Sequence, residues 1–124
     1  MSSSLVSVVI AVVVVVSLLE VSFAANTAPP AVTACTQTVK AGEQLCVNHF
    51  NQQMAVKASG EEALQKKNCC SYWRFKACTL ALFTPNPNCL NVVKGYLEST
   101  EKAQNLAGQC AHYPAITVPQ CSGF

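Results

Sequence analysis

Cysteine is the residue type with the most chemistry to offer in this chain. Cys35, Cys46, Cys69, Cys70, Cys78, Cys89, Cys110 and Cys121 account for eight of its 124 residues. As thiolates they would be nucleophiles or metal ligands. As disulfides they are scaffold. The even count, in a short chain that opens on an export-like segment, reads as four disulfides. Each bridge restricts the unfolded chain and adds about 2–4 kcal/mol of stability. No sulfur is then left for nucleophilic catalysis. His49 and His112 each follow a cysteine closely, in Cys46-Val-Asn-His49 and Cys110-Ala-His112. Such neighbours would hold zinc or copper only through thiolates. With the sulfurs oxidised, both histidines read as surface residues and no metal is expected.

Acid–base chemistry has little to work with. The sequence contains no aspartate. Glu61 and Glu62 are adjacent, and adjacent side chains diverge on a helix. Both are better explained as helix-start residues. Glycine loops for phosphate, a Gly-x-Ser-x-Gly elbow and a His-Glu-x-x-His pair are all missing. The chain therefore reads as a non-enzyme that needs no cofactor.

Two non-catalytic patterns remain. Leu64, Trp73, Phe75, Leu80, Phe83, Val93 and Leu97 form an apolar set that would either line a pocket for a small apolar ligand or fill a small core. Lys66, Lys67, Arg74 and Lys76 interleave with Trp73, which would suit either a solvated helix face or contact with anionic lipid. Formal net charge is only +2. That is far from the dense basic face of a nucleic-acid binder, so no nucleic-acid partner is expected.

The elements that must position these residues begin after an N-terminal segment of another kind. Leu5–Leu19 is an uncharged run containing eight valines, and Ser22-Phe23-Ala24 follows with small residues at the first and third places. Apolar core, short polar stretch and small-x-small site are the order of a signal peptide, although no Lys or Arg precedes the core. A membrane span needs roughly 20 apolar residues, and Glu20 interrupts this run first. Residues 1–24 are therefore expected to be removed on export, with no stable membrane anchor. Residues 25–124 would be one secreted, extracellular domain.

Within that domain, Ala31 to about Ala58 lacks proline and favours helix, with Gly42 as its weak point. Ser59 and Glu62 have the spacing of a capping box for a second helix from about Gly60 to Phe83. Thr84-Pro85-Asn86-Pro87 ends that helix. Asn86 then caps a third helix with Pro87 at its first position. Leu90, Val93 and Leu97 recur at helical spacing. The third helix is expected to reach about Cys110, with a break near Glu98-Ser99-Thr100. Pro114 and Pro119 make the tail irregular. The class is all-α: a small, disulfide-laced bundle of three to four helices with an irregular C-terminal tail.

A helical hairpin closing at Lys57–Gly60 predicts cysteine partners. Eleven steps of ~100° return Cys46 to nearly the face of Cys35, so both can meet one partner helix. Cys35 then falls near Cys78, and Cys46 near Cys69 or Cys70. Facing favours Cys70, since one residue of axial slip is only ~1.5 Å. The other adjacent cysteine would reach Cys110, and Cys89 would tie the tail through Cys121. This is one scheme among about a hundred.

Eight cysteines in a secreted helical chain, with an adjacent pair at third and fourth place, resemble plant non-specific lipid-transfer proteins. The resemblance implies an apolar tunnel for acyl chains. That family has a Cys-x-Cys after the adjacent pair, where this chain has Cys78 and Cys89. The run Cys69-Cys70-Ser-Tyr-Trp73-Arg-Phe-Lys-Ala-Cys78 also looks like secreted helical cysteine-rich proteins of arthropods. The functional expectation is a binder or carrier of a small apolar ligand. The alternative is an extracellular interaction protein: a toxin-like or defence peptide, an inhibitor or a matrix component, whose partner is another extracellular protein. Oligomeric state is not legible in the sequence.

Overall fold

The computed structural model describes residues 29–124. The expected signal segment, 1–24, lies outside the described residues. Helix α1 is Pro30–Thr38, α2 is Lys40–Ala55, α3 is Glu61–Ala81, α4 is Pro87–Ala103 and α5 is the short Leu106–Gln109. A 3-10 turn, Pro119–Cys121, closes the tail. The described residues contain no strand, so the all-α class holds. No helix among them is long and apolar enough to cross a membrane.

The first expected helix is two. The chain breaks at Val39 (φ −125°, ψ 29°) and not at Gly42. The hydroxyls of Thr36 and Thr38 donate to the carbonyls of Thr33 and Cys35, at 3.0 and 2.6 Å. Such local bonds compete with the helical ladder, and β-branched Thr38 and Val39 add to the effect. Gly42 serves packing instead. A Cβ there would stand 2.8 Å from a Leu82 methyl, so its absence lets α2 approach the turn after α3.

Helix α3 starts one residue later than the capping box requires. Gly60 (φ 89°) takes the N-cap position, which leaves Ser59 outside the helix, and no side chain caps its first turn. The positive φ is a conformation that glycine adopts without steric penalty. Glu61 and Glu62 occupy the first turn, where the helix dipole favours carboxylates. Asn86 behaves as expected: its Oδ1 accepts from the Cys89 N–H at 3.1 Å, and Pro87 follows. Helix α4 runs through Glu98-Ser99-Thr100 without the expected break, and the Thr100 hydroxyl donates back to the Tyr96 carbonyl. The interruption comes at Asn105 (φ 54°), a residue whose short polar side chain tolerates the left-handed region.

Four disulfides lace these elements: Cys35–Cys89, Cys46–Cys78, Cys69–Cys110 and Cys70–Cys121. Cys69–Cys110 matches expectation. The other three correct it, and two features explain them. The break at Val39 releases α1 from the hairpin, so α1 packs on α4 and Cys35 meets Cys89 rather than Cys78. The hairpin register is also shifted. The Lys67 ammonium donates to the carbonyls of Met54 and Val56, at 3.0 and 2.7 Å. The end of α2 therefore lies beside Lys67, more than a turn inside α3, and α3 overhangs it. That shift sets Cys46 opposite Cys78 and frees Cys70 for Cys121 on the tail. Disulfides of this kind persist in an oxidising environment such as the extracellular space.

The core lies where α2, α3 and α4 meet. Phe50, Tyr72, Phe75, Phe83, Val93, Leu97 and Leu106 are each at most 3% exposed, and the disulfide sulfurs fill the gaps between them. Phe50 and Phe75 meet edge-to-face with centroids 5.8 Å apart, a favoured aromatic arrangement.

Candidate functional site

The overhang of α3 beyond α2 leaves a gap, and the extended linker from Val56 to Gly60 runs along it. The result is an open cleft of about 460 Å³. Val56 and Ala58 of the linker, Ala63 of α3 and Phe124 of the tail supply its apolar walls. Lys57, Lys66 and Lys67 supply charge, and Gln53, Ser59 and Gly123 complete it. The Cys70–Cys121 bridge anchors the tail a few residues before Phe124. The main-chain oxygen of Phe124 accepts from Arg74 Nε at 2.9 Å and from Gln53 Nε2 at 3.3 Å. α2, α3 and the tail thus hold the Phe124 wall together.

The lysines differ in their engagements. Lys67 satisfies two carbonyls at the C-terminal end of α2, where those groups lack helical partners and a cation is favoured by the dipole. Among the described residues, the ammonium groups of Lys57 and Lys66 have neither a hydrogen-bond nor an ion-pair partner. No acidic residue lines this cleft.

A second region surrounds Trp73. Its indole N–H donates to the Tyr113 carbonyl at 2.6 Å, and the Lys76 ammonium stands 5.5 Å from the ring centroid. Lys76 also pairs with Glu101 at 3.0 Å, and the Tyr72 hydroxyl donates to the same carboxylate at 2.6 Å. Burial, with the Glu101 carboxylate beside it, pushes the Tyr72 phenol well above the usual tyrosine range. Two smaller clefts, of about 340 and 270 Å³, flank Trp73 and share Pro114 as a wall. Lys76 and Glu101 satisfy each other here, which marks this cluster as a clamp between α3 and α4.

No protein-family model, curated protein or solved structure matches this chain. The likeness to lipid-transfer proteins rests on cysteine pattern alone.

The seven residues expected to line an apolar pocket do not gather around one. Phe75, Phe83, Val93 and Leu97 lie in the close-packed core. Leu64 is half-buried on α3. Trp73 and Leu80 pack against the core and border the flanking clefts. His49 and His112 are both exposed. No group of three potential metal ligands occurs among the described residues. The larger cleft draws instead on Val56, Lys57, Ala58, Ala63 and Phe124, none of which sequence reasoning singled out. The linker has no helical or strand periodicity to mark it, and the role of Phe124 depends on the Cys70–Cys121 bridge. Lys66 and Lys67 were visible as basic residues, but not as neighbours of that linker.

Proposed function

We propose that this chain is an exported, non-catalytic binding protein that takes up a small, largely apolar ligand in the cleft between the end of α2, the start of α3 and the tail. The cleft carries this reading. It is a concave, apolar-walled space at the meeting of three elements, set apart from the buried aromatic core. Its volume lies within the range of small-molecule sites, roughly 300–1,000 Å³. The proposed ligand lies at the surface and not in a closed tunnel. The disulfide framework supports the reading as well, because it fixes the α2–α3 register and the tail before any ligand arrives, which reduces the ordering cost of binding. Export through residues 1–24 belongs to the proposal, and the mass of the secreted product tests it.

Titration of the oxidised protein with a fluorescent fatty acid, followed by displacement with unlabelled apolar competitors, tests the binding. Saturable binding at tens of micromolar or below, lost in Ala63→Trp, is expected. Absence of binding across that range refutes the carrier.

A second reading is an extracellular interaction protein. Leu45 and Val56, 69% and 62% exposed on and just beyond α2, favour it, since large exposed apolar side chains are a feature of contact surfaces. Growth inhibition or membrane leakage at similar doses, with no ligand uptake, supports that reading over the first.

A further inference from the structure

Resting on the cleft reading above, we propose that the ligand is an amphipathic monoanion. Its apolar body lies against Val56, Ala58, Ala63 and Phe124, and a carboxylate-type head lies between Lys57 and Lys66. Four observations carry this inference. The cleft is lined by three lysines and no acidic side chain, and the Phe124 main-chain oxygen in it is already held by Arg74 and Gln53, whereas the cleft of about 340 Å³ beside Trp73 sets Glu98 and Glu101 against Lys102. Two of the three ammonium groups, Lys57 and Lys66, have no partner among the described residues. Glu62 shares a neighbouring hollow with Lys66 but makes no ion pair with it. The third lysine, Lys67, uses two N–H groups on the carbonyls of Met54 and Val56, and an ammonium has three.

Three like charges around one apolar concavity repel one another, and low-dielectric walls focus their field into it. A bound anion relieves that repulsion, and a neutral ligand does not. A ligand of high charge does not fit the apolar walls. A single charged head on an apolar body matches both features.

The test uses the oxidised chain from residue 25 onward and two probes of equal length, dodecanoate and dodecanol, read by calorimetry at low salt. Exposed ion pairs each contribute roughly twofold to fivefold in affinity, so two lysines predict a preference for dodecanoate on the order of tenfold. The preference should shrink as salt is raised. It should disappear in Lys57→Gln/Lys66→Gln with dodecanol binding retained, and persist in the remote control Lys94→Gln/Lys102→Gln. Equal affinity for the two probes overturns the head-group assignment and leaves the cleft reading standing. Binding of neither probe removes the cleft reading and this inference with it. Sedimentation with anionic phospholipid vesicles, in the absence of dodecanoate binding, assigns the lysines to a membrane surface and overturns the proposal.

Discussion

Lys67 caps the end of α2 from inside α3, beside the cleft, so its removal tests what that cap contributes to the hairpin. Lys67→Met keeps the aliphatic stem and deletes the ammonium that caps Met54 and Val56, at 3.0 and 2.7 Å. Hydrogen bonds to charged groups are worth about 1.5–3 kcal/mol each when desolvated. Lys67 is half-buried and the Val56 contact is solvent-exposed, so these values must be discounted. The favourable placement at a helix C-terminus is worth about 0.3–1 kcal/mol. The expected net loss is about 1–2 kcal/mol. In urea unfolding with disulfides intact, that shifts the midpoint down by on the order of 1 M with an unchanged slope. Amide exchange should speed up first in the last turn of α2. Lys66→Met, one residue away and without a partner among the described residues, is the control and should stay within about 0.5 kcal/mol of wild type. A Lys67→Met protein as stable as wild type, or an equal loss in Lys66→Met, would refute the capping argument.

Further outcomes follow from the same geometry. Trypsin acting on the oxidised protein should leave two disulfide-linked groups. One joins the peptide ending at Lys40 to Ala41–Lys57 and Ala77–Lys94, and the other joins Asn68–Arg74 to Ala103–Phe124. A Cys46–Cys70 bridge would merge the groups, and mass spectrometry distinguishes the cases. Because the Tyr72 phenol is raised by burial, the unfolded chain releases its proton near pH 10 while the folded chain holds it. That stabilisation is complete below the ordinary tyrosine value and is lost as pH rises above it. Tyr72→Phe should therefore lessen the fall of stability in alkali, measured by thermal melts, with Tyr96, also raised by burial, leaving a remainder. Gly95→Ala meets no atom within 4 Å and should stabilise α4 by about 0.5–1 kcal/mol, whereas Gly42→Leu must displace Leu82 and should cost about 1–3 kcal/mol in urea unfolding. Phe75→Ala, in the filled core, should cost about 3–5 kcal/mol by the same assay.

Local signals in the sequence were legible where a single residue's chemistry decides the outcome. The two prolines after Thr84 stop α3, and Asn86 with Pro87 starts α4, because a ring and a short carbonyl act within one turn. The use of all eight cysteines as disulfides was legible from their even number in a short chain. The hairpin itself was legible, but its register was not. Whether Cys46 meets Cys70 or Cys78 depends on how far α3 overhangs α2, an offset that no single residue's chemistry states in the sequence. The break at Val39 follows a locally weak stretch, Thr36-Gln37-Thr38-Val39, which the helix-favouring residues on either side masked. Among the apolar residues, hydrophobicity marked Phe75, Phe83, Val93 and Leu97 as buried without separating core from pocket. The cleft stayed hidden because it arises from the overhang and from a tail fixed by a remote disulfide.

The most direct test of the binding site is a two-dimensional NMR titration of the oxidised, isotope-labelled protein with dodecanoate. The account predicts saturable shifts concentrated on Val56–Ala58, Ala63, Lys66, Lys67, Gly123 and Phe124, with the Trp73 indole N–H unmoved. Shifts centred on Trp73 and Pro114, or no saturable shifts at all, would contradict it.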